Sequence, residues 1–169
     1  GGGEAGPGPG PGADLSAPAS YPSNTAVTLL LDYKACPNDQ DKNGWSALMQ
    51  AADCGSEKAV QTLLAGGAEA DLRTKKGSSA MIRASMRGSA TISESLATAG
   101  ASVDVQEEDG LTPLMVVAER GHTGCARALL ALRASTLVTC KAGKTAADWA
   151  RASGRREALA LLEASDPTS

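Results

Sequence analysis

Residues 109–121 read DGLTPLMVVAERG, and nearly the same grammar occurs at 43–55 as NGWSALMQAADCG. The two stretches are 66 residues apart, so their recurrence marks either a duplicated site or a repeating scaffold. The glycines decide between them. Gly44, Gly77, Gly110 and Gly143 follow at a step of 33 residues, and Gly55, Gly88, Gly121 and Gly154 follow at the same step. With 19 glycines in 169 residues, eight such placements by chance multiply to roughly 10⁻⁸. Apolar columns keep the step as well: Leu48, Met81 and Leu114; Ala51, Ala84, Val117 and Ala150; Leu63, Leu96, Leu129 and Leu162; Ala68, Ala101 and Ala134. Equivalent apolar faces at a fixed period are what stacked structural units require, since each unit buries its face only against its neighbours.

One unit can be read locally. Asn43-Gly44 and Asp109-Gly110 accept positive φ at a hairpin-like turn. Two residues after each turn glycine stands a hydroxyl, Ser46, Ser79, Thr112 or Thr145, suited to accept from the free N–H groups that open a helix. Pro113 then fits a first helical position, where no N–H is needed. A helix of about nine residues follows, and the second glycine column ends it in a left-handed turn. A second, longer helix is expected beyond it. Val60-Leu63-Leu64 and Ala126-Leu129-Leu130 supply its i, i+3, i+4 stripe.

This pattern resembles the ankyrin repeat, whose 33-residue unit carries D-x-x-G-x-T-P-L near its start and L-L-x-x-G-A near its end. The matching residues are Asp41, Gly44, Ser46, Ala47, Leu48, Leu63-Leu64 and Gly67-Ala68 in the first full unit. In the third they are Gly110, Thr112-Pro113-Leu114, Leu129-Leu130 and Ala134. The second unit keeps both glycines, Leu96 and Gly100-Ala101, and the fourth, GKTAADWARASGRREALALLEAS, reads as a terminal unit. Counting back 33 from Val60, Leu63, Leu64 and Ala68 reaches Val27, Leu30, Leu31 and Ala35, so SNTAVTLLLDYKA is expected to be the second helix of a half unit. Pro18 and weak apolar content argue against a helix before it. The expected fold is an all-α repeat solenoid, an ankyrin-type stack of helix-turn-helix units with hairpin-like turn tips and about four and a half repeats. The domain boundaries follow: a Gly/Pro-rich flexible tail over 1–22, a half repeat over 23–40, and repeats over 41–73, 74–106, 107–139 and 140–169.

The sequence departs from the family where His usually follows the Leu of T-P-L. Met49, Ile82, Met115 and Asp148 stand there, which predicts looser turns.

Composition narrows the chemistry. Two Trp, two Tyr and no Phe leave the core to Leu, Val, Ala and Met. A net charge of −3 is too mild to argue for a nucleic-acid or membrane partner from the whole-chain field. No apolar run reaches the length of about 18 residues that a spanning helix needs. Cys36, Cys54, Cys125 and Cys140 show no C-x-x-C, and the chain has one His, so no metal site is expected. Reduced thiols fit an intracellular compartment, cytoplasmic by default. The chain does not begin with Met, which leaves an organelle, chloroplast or mitochondrion, as the alternative after removal of a targeting peptide. Cys125 is expected buried and Cys54 exposed.

Catalysis finds little support. His122 follows a repeat glycine, where the family commonly places His at the start of the second helix, so it is read as structural. Gly143-Lys144-Thr145 echoes a P-loop, but Val138 stands where the first glycine would be, and the repeat accounts for all three residues. No catalytic residue and no cofactor is expected.

The resemblance implies a binding module whose turn tips and first helices line a concave face gripping another protein. Mapped onto that face, the candidate contact residues are Trp45, Lys75, Lys76, Arg83, Met86, Arg87, Glu108, Asp109, Leu111, Glu119, Arg120 and Lys144, with Gln50, Asp53, Cys54, Val116 and Trp149 beside them. The second unit is basic, the third acidic through Glu107, Glu108, Asp109 and Glu119, and the fourth basic again through Lys141 and Lys144. Such bands are either an ordinary solvated charge pattern or the imprint of a partner with an acidic stripe beside a basic one. Trp45 at a tip is the leading anchor, with packing against the neighbouring tip as the alternative. A structural subunit of a large assembly, with an organellar complex as one option, is the second functional reading, because an uncovered apolar side at SNTAVTLLLDYKA would call for a neighbour. Nucleic-acid binding through the basic unit ranks below both, since the acidic unit beside it repels phosphates.

Overall fold

The computed structural model describes residues 36–165. The tail expected over 1–22 lies outside the described residues, as do residues 166–169 and most of the half repeat, including Val27, Leu30, Leu31 and Ala35.

Among the described residues the chain forms eight α-helices and no strand, apart from one antiparallel bridge between Gln40 and Ser46. They come in pairs: α1 (Ala47–Cys54) with α2 (Glu57–Ala65), α3 (Ala80–Arg87) with α4 (Ala90–Thr98), α5 (Pro113–Arg120) with α6 (Thr123–Ala131), and α7 (Ala146–Ala152) with α8 (Arg156–Ala164). The first helices α1, α3, α5 and α7 pack in one row and α2, α4, α6 and α8 in a second, each helix meeting its pair-mate and its equivalents in adjoining units. The result is an all-α solenoid.

Each first helix starts where the hydroxyl column places it. Ser46, Ser79, Thr112 and Thr145 accept from the backbone N–H of Met49, Ile82, Met115 and Asp148, satisfying one of the four free donors of a helix start. Pro113 occupies the first turn of α5. Gly55, Gly88 and Gly121 end α1, α3 and α5 in the left-handed region, with φ of 72°, 74° and 77°. In the last unit α7 stops a residue earlier, at Ala152, and the left-handed residue is still Gly154.

The core is the set of apolar columns. Leu48, Met81 and Leu114 are buried, as are Leu63, Leu96, Leu129 and Leu162. Burying such a side chain contributes on the order of 1.5–3 kcal/mol. Alanines at 51, 84 and 150 keep the first-helix row closely packed. Met49, Ile82 and Met115, at the position usually held by His, are fully buried.

The tips are joined to one another by backbone hydrogen bonds. Lys75 donates to the Asn43 carbonyl at 3.0 Å, Glu108 to Lys76 at 2.8 Å and Lys141 to Asp109 at 3.1 Å. These are ordinary lengths, so the looser turns expected from the missing His are not seen. The close approach explains the tip glycines. At Gly110, φ is 78° and a Cβ would lie 2.9 Å from the Lys141 nitrogen. Polar side chains add further links between units: Asn38, Asp71 and Asp104 accept from the N–H of Glu69, Ser102 and Ser135 at 2.7–2.9 Å. The next residue in that column is Leu137, which is 54% exposed.

Candidate functional site

The tips and the first helices present the residues that the repeat leaves free. Lys75, Lys76, Arg87, Glu108, Asp109, Glu119, Arg120 and Lys144 are exposed, while Trp45, Arg83, Met86 and Leu111 are half-buried. Gln50 and Cys54 are also exposed, and Trp149 and Asp53 half-buried. Val116 does not belong to this surface. At 3% exposure it is part of the core beneath α5, where the other apolar side chains of that helix also lie.

The first two tips enclose a cleft of about 540 Å³ lined by Asn43, Trp45, Thr74, Lys75, Lys76 and Arg83. Trp45 is not the freely exposed indole that its place at a tip implies. Its ring packs on the core and carries the Arg83 guanidinium 4.6 Å from its centroid, a cation–π contact. The tip places Trp45 just before the Ser46 cap, and α3 places Arg83 one turn into the next unit's first helix, so the stacking of units brings them together.

Arg83 is short of acceptors. Its Nη1 donates to the thioether sulfur of Met86 at 3.5 Å, and its Nε is buried with no partner. Arg87, one turn on, donates to the Asp53 carbonyl of the preceding unit. Among the described residues the ion pairs are those of Arg151 with Asp148 and Glu163, so Lys75, Lys76, Arg83 and Arg87 carry no paired carboxylate. Burial pushes the Glu107 carboxyl above its ordinary range; the Arg83 charge draws it down and Asp109 adds to the rise.

The acidic tip is the direct neighbour of the basic one, since the Glu108 N–H meets the Lys76 carbonyl. The fourth unit repeats the cation–aromatic theme: the Lys144 ammonium lies 5.0 Å from the centroid of the Trp149 ring. Both tryptophans of the chain thus lie beneath a cation, which the sequence reading had not placed. A signal for it exists. Trp45, Ser78, Leu111 and Lys144 form one 33-residue column and Gln50, Arg83, Val116 and Trp149 another, and both contacts join these two columns.

The remaining candidates have structural places. His122 precedes α6, with its ring against Gly88. Cys125 is buried and Cys54 exposed, as expected. Burial pushes the Cys125 thiol up, against the hydrogen bond with Ser93. Gly143, Lys144 and Thr145 form a fourth tip and helix cap. No described helix is long and apolar enough to cross a membrane.

A search of the curated proteins returns no match to the chain. The family model for ankyrin repeats in three copies matches residues 19–107 and 80–169. With paired helices stacked in two rows, capped tips laddered by backbone hydrogen bonds, and that match over most of its length, the chain belongs to the ankyrin-repeat family.

Proposed function

We propose that this protein is a non-catalytic binding module that takes a protein partner across the face formed by its tips and first helices. Ankyrin repeats generally mediate protein–protein interaction, which sets the class of function. The observation that supports the choice of face is its charge: a basic tip with no ion pair among the described residues, Lys75 and Lys76 with Arg83 behind it, lies against the acidic tip of Glu108 and Asp109. Neither charge group is needed by the repeat, whose caps, glycines and apolar columns occupy other positions. Banded charge of this kind steers encounter and fixes the register of a partner.

The test is affinity capture from the native source with the full chain and with a charge-swapped form, Lys75→Glu/Lys76→Glu/Glu108→Lys. These side chains are exposed, so the variant should keep the helical circular dichroism of the parent while losing one set of co-purifying proteins. Equal capture by both forms would remove the face from consideration. The second reading, a structural subunit of an assembly, rests on the sequence-based expectation for 23–35, which lies outside the described residues.

A further inference from the structure

We infer that the cleft between the first two tips is a receptor for a carboxylate side chain, an Asp or Glu on an acidic segment of the partner, held by the Arg83 guanidinium with Lys75 and Lys76 beside it. This rests on the reading of the tip face as the binding face.

Three observations carry it. The guanidinium has five N–H donors, and the one hydrogen bond described for it goes to a thioether, a weak acceptor. Its Nε is buried and unpartnered, so the donors that can meet a ligand are those on the two Nη atoms. A cation so placed favours any group that brings charged acceptors, because charge-assisted bonds are about twice as strong as neutral ones. Next, the guanidinium carbon lies 4.6 Å from the Trp45 ring centroid, a cation–π contact that favours this placement, and the planar fork of a guanidinium matches the two oxygens of a carboxylate. Glu107 does not fill the role: it feels the Arg83 charge but makes no ion pair with it. Finally, at about 540 Å³ the cleft has room for a carboxylate side chain.

Other ligands fit less well. Single-stranded nucleic acid relies on stacking against open aromatic faces, whereas Arg83 covers the Trp45 ring. A phosphate chain leaving the cleft would also meet Glu108 and Asp109 on the adjoining tip. An apolar peptide would leave the Arg83 donors without acceptors, at a desolvation cost. The same acidic tip calls for a basic residue next to the partner's acid, so the segment is acidic and then basic.

The experiment pans a phage-displayed library of random dodecapeptides against the full chain, then measures the synthesised hits by fluorescence polarisation. Selected peptides should share an Asp or Glu, and its replacement by Asn or Gln should weaken binding by roughly tenfold to a hundredfold, the loss of one charge-assisted contact. Arg83→Gln should cost as much, and Arg83→Lys should recover little of it, because an ammonium lacks the fork. Lys75→Gln/Lys76→Gln, confined to exposed side chains, should weaken binding several-fold and flatten its salt dependence, which keeps the question open to test should the Arg83 variants unfold. Hits without an acid that still lose binding in Lys75→Gln/Lys76→Gln or Glu108→Lys would overturn the carboxylate receptor and leave the face standing. Hits indifferent to every tip substitution, or no hits, would overturn both. An oligothymidylate strand that binds more tightly than any peptide and is lost in Arg83→Gln would also overturn it, in favour of nucleic acid.

Discussion

His122, the one histidine of the chain, shows how a residue with chemical potential can be committed to packing. Its ring lies where a Cβ on Gly88 would come within 2.6–2.9 Å, so the left-handed turn ending α3 and the residue opening α6 are fitted to each other. Gly55 offers an internal control: its φ of 72° nearly equals the 74° at Gly88, yet nothing lies within 4 Å of a Cβ there. Gly55→Ala should therefore cost only the left-handed backbone penalty, about 1–2 kcal/mol. Gly88→Ala should cost that and the clash with the imidazole, and Gly88→Ala/His122→Ala should return to about the Gly55→Ala value. Urea unfolding of the four proteins measures this. Equal losses for the two single glycine variants would mean that the ring is not seated against the turn.

The last first-helix, α7, is held at its start by a reciprocal box in place of the simple cap of the others. The Thr145 hydroxyl accepts from the Asp148 N–H at 3.3 Å, and the Asp148 carboxylate accepts from the Thr145 N–H at 2.9 Å and from its hydroxyl at 2.8 Å. Those two Thr145 donors, with Arg151 beyond them, hold the Asp148 carboxyl below its ordinary value. An acid whose folded pKa is depressed contributes stability above its unfolded value, near 3.9 for Asp, and that stability is lost as pH falls through the folded value. Amide exchange in α7 should therefore quicken as pH drops below about 4 relative to α1, after correction for intrinsic rates. Asp148→Asn should remove that difference, and Thr145→Ala should destabilise the helix by about 0.5–2 kcal/mol at neutral pH. An unchanged profile in Asp148→Asn would show that the box does not act through its charge. Caps of this sort were legible beforehand because a hydroxyl, a glycine and a helix are linked by local chemistry at fixed offsets. The Arg83–Trp45 contact was not, since it joins two different columns of successive units 38 residues apart, and only the stacked structure shows which columns meet. The interunit bonds of Asn38, Asp71 and Asp104 escaped for the same reason, although their 33-residue spacing was there to be seen.

Among the described residues each helix pair packs mainly on the pairs beside it, so the stack has no single centre and its stability is approximately a sum over units and junctions. The third unit has the most continuous apolar burial, with six consecutive buried residues from Pro113 to Ala118, and α6 beside it contacts both α4 and α8. A cavity there should weaken two junctions at once and isolate the fourth unit. Leu129→Ala, at a fully buried position of α6, should cost about 2–5 kcal/mol. The two tryptophans allow the consequence to be watched, since Trp45 lies in the first full unit and Trp149 in the fourth. In single-tryptophan backgrounds, Trp149→Phe and Trp45→Phe, the parent chain should unfold in urea with nearly coincident fluorescence transitions. With Leu129→Ala added, the Trp149 transition should move to lower urea than the Trp45 transition, because the last unit keeps only a damaged neighbour while the first keeps an intact one. A common shift of both transitions would instead show that the units unfold as one block, with junctions stronger than the units they join.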